Sequence, residues 1–108
     1  MEYQYDPNAD CAYILINNLP HAYSKELDET RFIDYAEDGT VIGVELLYVS
    51  GGVDVTNLPY DSEIAKLLEE HNIKIYAWVR ILGKYVFLFP YIFLEFHAHI
   101  NQKIDYLT

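Results

Sequence analysis

The sequence predicts an α+β fold, an antiparallel β-meander of about five short strands with one packed α-helix and a C-terminal aromatic β-hairpin or extension. Three observations predict it. Turn clusters of Asp, Pro, Asn and Gly separate short alternating apolar segments in the first 50 residues, one helical apolar period follows, and an aromatic run comes last. The 108 residues are 52% hydrophobic and 22% charged, which suits one ordinary globular domain rather than a disordered chain.

The elements follow in order. Asp6-Pro7-Asn8-Ala9-Asp10 is a turn between strands over residues 2–5 and 11–17: Pro7 presets φ, and the Asp and Asn side chains can bond nearby amides. Asn17-Asn18-Leu19-Pro20 marks a reversal before a weaker strand around 22–27. Asp38-Gly39 tolerates positive φ and predicts a tight hairpin turn between strands over 31–36 and 40–49. In the last of these, Ile42, Val44, Leu46 and Tyr48 alternate on one face, with Gly43 and Glu45 on the other. The stretch from Ser50-Gly51-Gly52 to Leu58-Pro59 breaks the pattern and lets the chain leave the sheet. Asp61 is expected to cap a helix running to about His71, with Ile64, Leu67, Leu68 and His71 as the stripe that lies on the sheet. Asn72, tolerant of the left-handed conformation, is expected to stop it.

Residues 1–75 thus form the expected compact domain, and residues 76–108 an aromatic extension packed on it or at a dimer interface. Trp78, Tyr85, Phe87, Phe89, Tyr91 and Phe93 are the candidate interaction residues, since an extended segment would present them on both faces. Gly83-Lys84 is the expected turn of a hairpin whose second strand pairs with the meander edge or another chain. The longest uncharged run, 85–94, is too short to cross a hydrocarbon core of ~30 Å as a helix, and Pro90 interrupts it.

The net charge of −10 is unevenly spread. Residues 1–70 hold 15 acidic groups against Lys25, Arg31 and Lys66, whereas residues 71–108 hold two acidic groups against four basic ones. Such an acidic body repels phosphate backbones, which argues against direct nucleic-acid binding and for a basic protein partner. The lone Cys11 excludes an intramolecular disulfide, and its alternating surroundings predict a small buried hydrophobe. With no basic, apolar opening of the secretory type, a cytoplasmic location is expected.

Candidate chemistry is thin. The stretch 34–45 places Asp34, Asp38, Gly39 and Glu45 where a calcium loop needs them, but Ala36 and Ile42 occupy ligand positions and the flanks read as strands. His97 and His99 share one side of an extended segment, yet no third ligand stands at a known spacing. Asp6, Asp10, Asp34 and Glu45 are the carboxylates nearest turns or strand ends, where capping and solvation explain them. Ser24, Ser50 and Ser62 lack a nucleophile elbow, and Gly51-Gly52 lacks nucleotide-fingerprint spacing. No catalytic, cofactor or metal residue is therefore assigned, and Asp6, Pro7, Asp10, Asp38 and Gly39 are read as structural turn residues.

The arrangement resembles a bacterial and archaeal family, domain of unknown function 2283. The likeness rests on Tyr5-Asp6-Pro7 with Asp10, Tyr13 and Ile14, on Asp34-Tyr35 with Glu37-Asp38-Gly39, on residues 41–46, and on Ser50-Gly51-Gly52-Val53-Asp54. It is read over residues 3–75, including the helix. These are turn and core motifs, so they guide fold more than activity. Some family members are encoded beside toxin-like partners, and the resemblance thereby implies an antitoxin-like role. The expected function is a noncatalytic interaction module, as a homodimer or with a basic partner. The alternative is a small-molecule or metal-binding protein or hydrolase using surface carboxylates.

Overall fold

The computed structural model describes residues 1–81 and 84–88, with side chains through Tyr76. Two compact units divide the chain after Gly51. The first unit is a five-stranded sheet of β1 (Glu2–Asp6), β2 (Cys11–Leu15), β3 (Tyr23–Asp28), β4 (Arg31–Tyr35) and β5 (Val41–Leu47). Every pairing is antiparallel, as expected, but the spatial order β1-β2-β5-β4-β3 is not the sequential one of a plain meander. The reason lies in β5. Ile42, Val44 and Leu46 are all buried, and a central position gives this most apolar strand a neighbour on each side, where a sequential order would leave it at the edge.

Register builds the inner face directly. Ile14 opposes Val44, which opposes Ile33, and Ala12 opposes Leu46, so these side chains share one side of the pleat and each is at most 4% exposed. Each large aliphatic so buried contributes about 1.5–3 kcal/mol. Arg31 falls on the same face opposite Leu46 and is buried too. Its Nε donates to Asp28 Oδ2 at 2.8 Å and Nη2 lies 2.7 Å from the same oxygen, so its charge is compensated. Burial pushes the Asp28 carboxyl up, but the bonds from Arg31 and from Thr30 outweigh it and the net shift is downward.

Tyr48 was expected to extend the inner face of β5, but it is 67% exposed. The strand ends at Leu47, and Tyr48 takes φ +56, which turns the chain into a 3₁₀ turn over Val49–Gly51. Val49 takes the buried position instead.

The turns use the carboxylates as backbone acceptors. Asp6 Oδ1 accepts the Asn8 amide at 3.0 Å, and Asp38 Oδ1 accepts the Thr40 amide at 2.9 Å beside Gly39 at φ +88. Asp10, at φ +53, accepts the Ser50 amide at 3.1 Å, the Ser50 hydroxyl at 2.6 Å and the Tyr5 hydroxyl at 3.1 Å. It thereby ties the first hairpin to the turn that follows β5.

In the second unit, β6 (Val53–Asp54) runs parallel to β7 (Ile75–Ile81), and β7 pairs antiparallel with β8 (Lys84–Leu88). Parallel strands need a long crossover, which here contains α1 (Asp61–Glu70). Ile64, Ala65 and Leu68 are its buried residues. His71, expected on the apolar stripe, is exposed just past the last turn, and Ala65 fills out that face. Asp61 is the first helical residue rather than the cap. Tyr60 occupies the cap position at φ +54 without a side-chain bond, while the Asp61 carboxylate accepts the Ser62 amide at 2.8 Å.

At the other end Asn72 adopts φ +61, as its residue type predicts. The amides of Asn72 and Ile73 donate to the carbonyls of Glu69 and Leu68 at 3.0 and 2.9 Å, a Schellman ending. Gly52, at φ +103, leaves room for the Tyr76 ring, which packs against the space a Cβ would take.

Lys84, expected in a turn with Gly83, pairs instead with Ile81 in the β7–β8 ladder, and Gly83 lies outside the described residues. Within its sheet, the aromatic hairpin joins β6 through β7. No described helix is long and apolar enough to cross a membrane.

Candidate interaction face

Strand alternation puts Glu2, Gln4 and Asp6 of β1, Cys11, Tyr13 and Leu15 of β2, Gly43, Glu45 and Leu47 of β5, Phe32 and Asp34 of β4, and Ser24 and Glu26 of β3 on the outer face. Glu2, Asp6, Glu26, Asp34 and Glu45 supply its charge, and none of these strand positions is Lys or Arg.

Its centre is organised by a glycine. Leu15, Gly43, Asp34 and Ser24 oppose one another in sequence across four strands. Because Gly43 has no side chain, the Tyr13 ring lies over it and reaches β4, where its hydroxyl donates to Asp34 Oδ2 at 2.9 Å. Ser24 Oγ donates to Asp34 Oδ1 at 2.6 Å, and His21 Nε2 stands 2.8 Å from Ser24 Oγ and 3.7 Å from Asp34 Oδ1. The serine proton is committed to the carboxylate, so the imidazole serves the hydroxyl as donor. A hydrolytic triad needs the imidazole between serine and carboxylate, taking the serine proton. Here the order is reversed and the group braces the sheet. Burial first, then the Asp34 hydrogen bond, pushes the Tyr13 hydroxyl up to about 12.

Beside it, a depression of about 240 Å³ is lined by Gln4, Tyr5, Asp6, Cys11, Ala12, Tyr13 and Glu45. Cys11 is half-buried rather than buried, and its thiol donates to the Ala9 carbonyl at 3.3 Å. Desolvation, and after it the charges of Glu45, Asp6 and Asp10, push its pKa up, which keeps it a thiol.

The four carboxylates singled out from sequence separate into different tasks. Asp6 and Asp10 bond turn backbone, Asp34 accepts two hydroxyls, and Glu45 stands exposed on β5. The calcium-like stretch 34–45 is the β4–β5 hairpin, with Asp38 turned onto Thr40. Among the described residues no three His, Cys, Asp or Glu gather as a metal site requires. Trp78 lies in β7 opposite Phe87 of β8, and Tyr85 opposes Arg80; only their backbone is described. Phe89, Tyr91, Phe93, His97 and His99 lie outside the described residues.

Sequence reasoning missed the Tyr13–Asp34–Ser24–His21 group. Its one local signal was Gly43 inside an otherwise strong strand, which marks a close approach by a neighbour.

No curated protein and no solved structure matches the chain. The family model described as "Protein of unknown function (DUF2283)" matches residues 2–50, which hold all five strands of the first sheet and the Asp10–Ser50 bond. The likeness read as far as residue 75 therefore runs past the matched segment, which stops before β6. The segment that forms this five-stranded sheet is thus similar to the DUF2283 family over residues 2–50.

Proposed function

We propose that the protein is a noncatalytic interaction module whose acidic sheet engages a basic protein partner, with an antitoxin as the sharpest form of that role. The observation that carries this reading is the outer face itself, with five carboxylates and no basic residue among its strand positions. Such a field steers and selects a positive partner. Tyr48, 67% exposed just past the end of β5, adds amphipathic contact area of the kind interfaces favour. Trp78, Tyr85, Phe87, Phe89, Tyr91 and Phe93 are proposed to supply a more apolar contact, to that partner or in a homodimer. The lone cysteine supports work in the reducing cytoplasm.

Native mass spectrometry of the protein, purified from its own host at low salt, tests the reading. It expects a stoichiometric basic protein that dissociates as salt rises and, in the antitoxin form, is toxic when expressed alone. A monomer or bare homo-oligomer under those conditions refutes it. The depression beside Cys11 favours a second reading, a small-molecule site. That reading predicts a retained ligand in the same spectrum, lost in Glu45→Gln without loss of folding.

A further inference from the structure

We infer that Tyr48 is the anchor of the interaction surface, a ring held out from the end of the first sheet to stack an arginine side chain of the basic protein partner. This rests on the basic-partner reading above and names the residue and the side-chain chemistry of the contact.

The position runs against its residue type. At φ +56 the backbone suits glycine or asparagine and disfavours a ring-bearing residue. Burial gives no compensation, since Tyr48 is 67% exposed, well above Tyr60 at 49% and Tyr23 at 47%. Strain kept at an exposed aromatic points to a use outside the fold.

The neighbours of Tyr48 are pinned while its ring is not. Leu47 pairs with Cys11, and its amide donates to the Thr30 carbonyl at 2.8 Å. Val49 is buried, its amide donates to the Asp10 carbonyl at 3.2 Å, and the Ser50 amide and hydroxyl both donate to the Asp10 carboxylate. The ring is therefore offered from a fixed base, and a contact so preorganised loses little main-chain freedom on binding.

Charge chooses the occupant. Asp6, Cys11 and Leu47 lie in register across β1, β2 and β5, and Tyr48 follows directly in the chain. The charges of Glu45, Asp6 and Asp10 all reach the Cys11 thiol, so three carboxylates share this end of the sheet. Arg31, opposite Leu46, is buried and already matched by Asp28. An aromatic face among carboxylates takes a cation, which stacks on the ring while the carboxylates hold its charge. Arginine suits it better than lysine, because the planar guanidinium stacks on a ring and is more weakly hydrated. A second copy of the chain would bring the same three carboxylates against these.

The test titrates the full chain at low salt with two capped hexapeptides, one alternating arginine and glycine, the other lysine and glycine, followed by amide NMR shifts. The expected result is shifts at residues 10–11 and 45–50, with tighter binding of the arginine peptide. Tyr48→Asn should weaken that binding about two- to fivefold while keeping or raising the Tm. Tyr48→Phe should bind as the parent does, since the ring face makes the contact. Equal affinity of the parent for the two peptides overturns the inference, as does unchanged arginine binding in Tyr48→Asn; charge alone would then account for binding and the basic-partner reading would stand. Shifts confined to other residues, or a loss in Tyr48→Phe equal to that in Tyr48→Asn, also overturn it. A lowered Tm in Tyr48→Asn overturns it because the ring would then serve the fold. Absence of binding by either peptide overturns it too, and the parent reading is judged separately by the salt-sensitive complex. A peptide-free dimer that Tyr48→Asn dissociates overturns it in favour of a second copy.

Discussion

Replacing Gly43 by alanine puts a Cβ 2.5 Å from Tyr13 Oη, 2.7 Å from Tyr13 Cζ and 2.6 Å from the Ile14 carbonyl oxygen. The first two contacts can be relieved if the Tyr13 ring swings away, at the cost of its 2.9 Å bond to Asp34. The third cannot, because Ile14 is held in the β2–β5 ladder opposite Val44. Overpacking costs about 1–3 kcal/mol and a hydrogen bond to a charged group contributes about 1.5–3 kcal/mol, while alanine regains about 0.5–1 kcal/mol of backbone entropy. The net expectation is a loss of about 1.5–5.5 kcal/mol, and one of about 3 kcal/mol lowers the Tm by roughly 10–25 °C. Urea unfolding followed by far-UV circular dichroism measures it. A double-mutant cycle with Tyr13→Ala apportions the loss, since removing the ring should recover the part due to Tyr13 and leave the part due to Ile14. A Gly43→Ala protein within 0.5 kcal/mol of the parent, on the scale of an ordinary surface substitution of about that size, would refute the account of why this position is glycine.

Other substitutions test the remaining local claims. Tyr13 ionises about two pH units later in the folded sheet than when unfolded, so it stabilises the fold below pH 10 and loses that contribution as pH rises toward 12. Tyr13→Phe should remove that alkaline dependence, seen as the loss of one late-titrating tyrosine in ultraviolet difference spectra. Asp10 and Asp38 are held below the usual carboxylate range, Asp10 chiefly by the Ser50 hydroxyl and Asp38 chiefly by the Thr40 amide. Their contribution is present above about pH 4 and fades as pH falls through the folded values, so Asp10→Asn should flatten the acid limb of a Tm-against-pH curve. Asn72→Gly should keep or raise stability, whereas Asn72→Ala should lower it by about 1–2 kcal/mol through left-handed strain, both read by thermal unfolding.

The sequence made the local turns legible because their chemistry is contained within a few residues. Asp6 bonding Asn8, Gly39 at positive φ and Asn72 ending the helix are each the expected act of that residue type. Left-handed Tyr48 and Tyr60 were not legible, since aromatic residues rarely take that conformation and only the surrounding fold holds them there. The strand order was also hidden. Alternation shows that β5 has an apolar face but not that β2 will come to lie beside it. The Tyr13–Asp34 bond spans 21 residues and exists only in that register, so the centre of the candidate face could be read only after folding. β6 is two residues long, too short to give any periodic signal.

The strand order also sets a timetable for a chain emerging from the ribosome. The β1–β2 hairpin is made first, yet its inner face finds its partner only when β5, some 30 residues later, has followed. The hairpins from β3 to β5 can zip locally in the meantime, and closing β2 against β5 is then the step with the longest loop to close within this sheet. Asp10 and Ser50 are 40 residues apart, so their bond acts as a latch available only after that closure, and nascent chains shorter than this should hold the hairpin exposed to chaperones.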